Sequence, residues 1–63
     1  MLAKAKRNVC VLMEDGRFSD FKEGAEYRFI FRNDNQVVLM DENKLGYICD
    51  RNEFDEDFEI SRI

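Results

Sequence analysis

The residue types that carry most enzyme chemistry are scarce in this chain. It contains no histidine, so the commonest general base and metal ligand is missing. Its only serines, Ser19 and Ser61, lie outside any Gly-x-Ser-x-Gly elbow, the strained turn that exposes a nucleophilic hydroxyl. Two cysteines, Cys10 and Cys49, stand 39 positions apart. With no histidine to deprotonate them they have no partner for nucleophilic catalysis, and a lone reactive thiol needs an electropositive setting. They read as free, mostly buried thiols, since unpaired cysteine behaves as a small hydrophobe and small secreted disulfide scaffolds normally carry more.

Carboxylates are abundant. Asp55, Glu56 and Asp57 are consecutive, but carboxylate-pair hydrolysis needs two such groups across a cleft. A chain of 63 residues has little room for a substrate pocket of several hundred Å³ beside its own core. Calcium was weighed on Asp50–Glu53 and Asp55–Asp57; the spacing lacks the Asp-x-Asp-x-Asp-Gly alternation and closing Glu of an EF-hand loop. The expectation is a non-enzymatic protein with no catalytic residue, no metal and no cofactor.

What remains is binding. Residues 50–59 hold six acids and one base, Arg51, a local balance of −5. Asp50, Glu53, Asp55, Glu56 and Asp57 are the first candidates for a surface that meets a partner protein with a basic face, because complementary charge steers encounter. Phe18 and Arg17 are added to them, since aromatics and arginine dominate interface energetics. Phe18 lies mid-loop, whereas Phe21 abuts the following strand and is expected to pack over the open end of the fold. The alternative is a nucleic-acid face built from Lys4, Lys6, Arg7, Arg28 and Arg32. Small barrels do bind nucleic acid through strand faces, but a net charge of -4 opposes a phosphate backbone. A lone acidic run is also an ordinary solubilising surface.

These residues need elements to hold them. Sixty-three residues make one domain, 1–63, of a size that buries only about 60% of the surface its unfolded chain exposes. Hydrophobic residues at 44%, six Phe and two Tyr are enough for a core and argue against disorder. No apolar run is long enough to cross a membrane, and the basic start lacks an apolar stretch of leader length, so no membrane association is expected and the expected location is the cytoplasm.

Residues 3–13 begin with alternating apolar and polar positions and end in the run Val9–Met13, which reads as a strand. Residues 14–24 form a long polar connection with Asp15-Gly16 as a turn signal; with two Phe inside, it reads as an ordered loop or a splayed hairpin arm. Residues 25–32 are the clearest strand, with Tyr27, Phe29 and Phe31 on one face and Arg28 and Arg32 on the other. Asn33-Asp34-Asn35 suits a tight turn. Gln36–Met40 is the next strand, residues 41–44 turn, and Leu45–Cys49 returns. Phe54 and Phe58, four apart, share one face of a helical turn. Asp50 with Glu53 three later resembles a capping box, and acids in a first turn suit the helix dipole. Glu59–Ile63 is a last short strand. The expected core is Val9, Val11, Tyr27, Phe29, Phe31, Val38, Ile48, Phe54 and Phe58.

Strand, long loop, strand, tight turn, strand, tight turn, strand, helical turn, strand is the connectivity of Src-homology-3-like barrels. The segment Phe21-Lys22-Glu23-Gly24-Ala25-Glu26-Tyr27 resembles the Phe-Lys-Lys-Gly-Asp stretch entering the second strand of such barrels, and the helical turn stands just before the final strand as it does there. The chain also resembles small phage and prophage proteins, in which a lysine- and glycine-led stretch ending in tyrosine opens the second strand and an acidic segment with two Phe closes the domain. The resemblance implies an all-β, partly open, five-stranded Src-homology-3-like barrel with one short helical turn before the last strand. It further implies a phage protein that binds and modulates a host protein in the host cytoplasm. The chain lacks the Trp, the Ala-Leu-Tyr-Asp-Tyr stretch and the Pro that build a polyproline groove, so polyproline binding is not implied. The terminal strands of an open barrel are edges that can pair, which allows a weak homodimer.

Overall fold

The computed structural model describes all residues, Met1–Ile63. The chain forms seven strands and one helix: β1 (Leu2–Ala5), β2 (Val9–Leu12), β3 (Phe18–Phe21), β4 (Glu26–Asn33), β5 (Gln36–Met40), β6 (Gly46–Asp50), α1 (Arg51–Asp57) and β7 (Phe58–Arg62). Five strands form one antiparallel sheet in the order β6-β5-β4-β1-β7, and β2 and β3 form a separate hairpin. The domain is mostly β, as expected. The two sheets are not closed into a barrel: β6 and β7 end the large sheet, each with one unpaired side.

Two expected segments divide further. The stretch 3–13 is two strands, because the chain bends at Lys6–Arg7 and Asn8 takes no part in a strand. The long connection 14–24 contains β3, paired with β2 from Val9↔Phe21 to Leu12↔Phe18. Seven strands therefore replace the expected five. The hairpin tip is a tight turn in which Gly16 N–H donates to Met13 O (3.0 Å) and Met13 N–H donates to Arg17 O (2.7 Å). Gly16 sits at φ 85, a left-handed conformation that glycine adopts without steric cost. Gly24, at φ 84, does the same where β3 turns into β4; its N–H donates to Ala5 O (2.9 Å) and ties that corner to β1.

The core lies on the inner face of the large sheet, under the hairpin and the helix. Period-two alternation sends Ala3 and Ala5 of β1, Tyr27 and Phe29 of β4, Val37 and Leu39 of β5 and Cys49 of β6 inward, where they meet Phe21 of the hairpin, Phe54 of α1 and Phe58 of β7. The aromatics form a continuous chain: Tyr27 edge-on to Phe21 (4.9 Å), Phe21 edge-on to Phe58 (5.4 Å), Phe58 stacked on Phe54 (5.7 Å), and Phe54 tilted on Phe29 (5.0 Å). Such pairs add about 0.5–1.5 kcal/mol each beyond the area they bury. The alanines of β1 leave the volume that these rings fill.

Of the expected core, Tyr27, Phe29, Phe54 and Phe58 are buried, and Val9 packs against the cluster. Val38 and Ile48 are corrections. The register Phe29↔Leu39 and Phe31↔Val37 turns Val37 and Leu39 inward and Val38 outward, and Val38↔Ile48 carries Ile48 out with it. Phe31 is a third correction: it continues the inner face of β4 but reaches past the core, edge-on to Phe29 (5.5 Å) and under the Arg51 guanidinium (4.8 Å). Val11 is a fourth: it is only half-buried and takes no part in the core cluster. The capping box does not form. Asp50 makes no side-chain cap bond; instead Asn35 O accepts the Arg51 N–H at 2.8 Å. No helix of the protein is long and apolar enough to cross a membrane.

Candidate functional site

The acidic segment is partly satisfied from within. Asp57 pairs with Arg7, Asp55 with Arg51 at 3.2 Å, and Glu53 accepts from the Tyr47 hydroxyl at 3.3 Å. Asp50 ends β6 and Glu56 stands on α1, both exposed and free of such bonds. The five acids do lie on one short run of backbone, but three of them are engaged.

The five bases of the alternative reading are divided. Lys6 and Arg7, at the corner between β1 and β2, hold the C-terminal end of α1: Lys6 Nζ donates to Asp55 O (2.9 Å), Lys6 N–H to Asp57 O (2.7 Å), and Arg7 pairs with Asp57. Cations there complement the negative end of the helix. Lys4 stands between Glu26 on β4 and Glu59 on β7. Arg28 and Arg32 lie on the outer face of β4 with Ile30 between them. No continuous basic strip results.

Phe18 is exposed at 61% and forms a cross-strand pair with Leu12, itself exposed at 64%. Arg17 is held at the hairpin tip, where Nε donates to Asp15 Oδ2 at 2.6 Å; this bond, with the Arg17 N–H to Asp15 Oδ1 (3.0 Å), lowers the Asp15 pKa. Both cysteines are free. Cys49 is buried, but Cys10 is exposed, a correction to the expectation that both are mostly buried: it lies on the outer side of β2, opposite Asp20.

One concavity beside these residues was not legible in the sequence. It is a groove of about 550 Å³ between the hairpin and β6, lined by Val11, Leu12 and Met13 on one side and Leu45, Tyr47 and Ile48 on the other, with Glu14 and the Asp15–Arg17 ion pair at its end. Both banks are strand edges. β2 pairs only with β3, and β6 only with β5. Asp41 N–H donates to Leu45 O at 3.1 Å, which phases the β5–β6 ladder. Pairs alternate along an antiparallel ladder, so Leu39–Tyr47 and Val37–Cys49 exchange hydrogen bonds. The N–H and C=O groups of Gly46, Ile48 and Asp50 then point away from β5, along the free side of β6. Tyr47 stands on the inner flank of this edge, its pKa pushed up to about 12 by burial and by the Glu53 carboxylate. What the groove offers is two rows of backbone donors and acceptors, apolar walls and, at one end, the unpaired Glu14 carboxylate. It contains no nucleophile–base pair, and no cluster of metal-ligating side chains occurs in the protein.

Comparison with protein-family models, with curated proteins and with solved structures finds no match.

Proposed function

We propose that this protein is a small, non-enzymatic protein-binding module that takes up an extended segment of a partner protein along the free edge of β6. The observation that supports this reading is the pair of unpaired strand edges, β2 and β6, facing each other across an apolar groove. An added strand satisfies backbone groups on such an edge, and side-chain pockets at alternate positions give selectivity. Natural proteins usually blunt exposed edges with charge, proline or a bulge; the central residues of β6, Tyr47, Ile48 and Cys49, carry none of these. Asp50 at one end of the edge and Glu14 at the other favour a segment flanked by lysine or arginine. Phe18 and Leu12 extend the apolar surface outward from the groove wall. On the resemblance drawn from the sequence, the chain is an open Src-homology-3-like barrel of phage or prophage origin, and the partner is a host protein met in the cytoplasm.

Two peptides test this. One alternates valine with lysine over about eight residues, the length of an ordinary strand. The other has the same side chains but N-methylated amides, so it cannot pair with an edge. The first is expected to bind and the second not. Ile48→Pro removes an N–H that points out of the sheet, a position where proline is tolerated; it is expected to weaken binding by about tenfold, or about 1.4 kcal/mol, with the fold retained. Equal binding of the two peptides, or full binding by Ile48→Pro, would contradict strand addition.

A further inference from the structure

The hairpin and α1 both pack on the inner face of the large sheet, through Phe21 and Phe54. The outer face of β4, β5 and β6 has no cover. Register places Ile30, Val38 and Ile48 side by side across these three strands. Ile30 is 60% exposed and Ile48 46%. Met40 extends the row toward the β5–β6 turn, and the Phe29↔Leu39 register sets Arg28 beside it. Isolated surface hydrophobes need no explanation, but a contiguous row rimmed by charge marks an interaction surface.

The rim is polarised. On the β4 side stand Arg28 and Arg32 and on the β6 side Asp50; in the β5–β6 turn, Glu42 and Lys44 share a hollow with Arg28 of the same chain. The β4–β5 register shifts between Phe31 and Asn33, so Asn33 is the partner of Gln36 and Arg32 is the bulged residue; Arg32 still donates to Gln36 Oε1 at 3.4 Å, which sets it level with Asp50, the partner of Gln36 on β6. They do not pair with each other, and Asp50 is in no ion pair.

We propose that this outer face binds a second copy of the chain, face to face, about a twofold axis parallel to β5. That operation lays β4 of one copy over β6 of the other. Val38 meets Val38, each Ile30 meets an Ile48, and each Arg32 meets an Asp50. Arg28 lies over Gly46, which has no side chain to block it. A self-complementary patch of this kind closes as a dimer and does not propagate. Sheets packed face to face with near-parallel strands are an ordinary arrangement. Three strands about 4.8 Å apart and about 17 Å long give a patch well below the roughly 800 Å² per partner of a standard interface, so the dimer is weak. The groove uses the backbone edge of β6 and this surface its outer side chains; the two share Gly46, Ile48 and Asp50, whereas Ile30 belongs to the outer face alone.

Sedimentation of the full chain from about 10 μM to about 1 mM, the range of a weak dimer, tests the proposal. A monomer–dimer equilibrium is expected within that range. Ile30→Glu, at an exposed position, is expected to abolish it with the circular dichroism spectrum unchanged. Arg32→Glu and Asp50→Arg are each expected to weaken association by about tenfold, and the double variant to restore it. A monomer at every concentration would overturn the proposal. So would a dimer that survives Ile30→Glu, which would indicate pairing through the β6 or β7 edge, or a double variant no better than the singles. Peptide binding by monomeric Ile30→Glu is expected to stay intact, so loss of the dimer and failure of the groove reading are distinguishable.

Discussion

At the scale of single residues, the costs are concentrated in a few buried polar atoms. Ser19 is fully buried on the inner side of β3, and its hydroxyl has no hydrogen-bond partner. An unsatisfied buried group of this kind costs about 1–3 kcal/mol. Ser19→Ala is therefore expected to raise stability by about 1 kcal/mol, read as a higher midpoint in urea. Cys49 is the second case. Burial, then the charges of Glu53, Asp50 and Asp57, push its thiol from 9.0 up to about 11, and Tyr47 moves upward as well. Both groups hold their proton more tightly when folded than when unfolded. Their contribution is complete below pH 9 and is lost as the pH rises through about 11 and 12. Unfolding free energy measured against pH is expected to fall between pH 9 and 11, with a shallower fall in Cys49→Ala. Phe18 is exposed, though it opens strand β3 and does not lie mid-loop as expected. The general tendency of free cysteine to be buried does not hold for Cys10, because the pleat of β2 turns it outward.

At the scale of elements, two hairpins share one design. In the β2–β3 tip, Gly16 takes the left-handed position. In the β5–β6 turn, Lys44 takes it at φ 64, with Lys44 N–H donating to Asp41 O (3.0 Å) and Asp41 Oδ1 accepting from Asn43 and Leu45 N–H (2.9 Å each). A side chain in that conformation costs about 1 kcal/mol relative to glycine. Lys44→Gly is expected to stabilise the protein by no more than about 0.5 kcal/mol, after allowing for the larger freedom of glycine in the unfolded chain; thermal melting checks it. The turns were legible because Asp-Gly and Asn-rich clusters have few uses other than turns. The hairpin strand β3 was not. Its inward residues are Ser19 and Phe21 and its outward ones Phe18 and Asp20, so hydrophobicity does not alternate with the pleat. The run Val37-Val38-Leu39 was a different failure. Three apolar residues in a row carry no phase, and only the pairing with β4 decides which of them faces in.

At the scale of the whole molecule, a domain of this length has about 3–9 kcal/mol of stability in all, and it rests on one chain of aromatic rings. Phe54 is the helix's only buried residue and joins Phe29 to Phe58. Phe54→Ala is expected to cost about 3–5 kcal/mol, enough to populate the unfolded state at ambient temperature. Ile30→Ala on the outer face is expected to cost under about 1 kcal/mol; urea titrations of the two variants make the comparison. The all-β class and the order of most elements followed from periodicity and turn chemistry. The free edges of β2 and β6 did not, because whether a strand is central or terminal depends on which strands pair, and local sequence does not encode that. The groove between those edges is likewise a product of topology.

The most direct test of the binding account is amide hydrogen exchange on the full chain, with and without the valine–lysine peptide. The account predicts that Gly46, Ile48 and Asp50 exchange fast alone and become protected together on adding peptide, while Tyr47 and Cys49, already bonded to β5, change little. Slow exchange of those three amides in the free protein, or protection confined to residues outside β2 and β6, would contradict it.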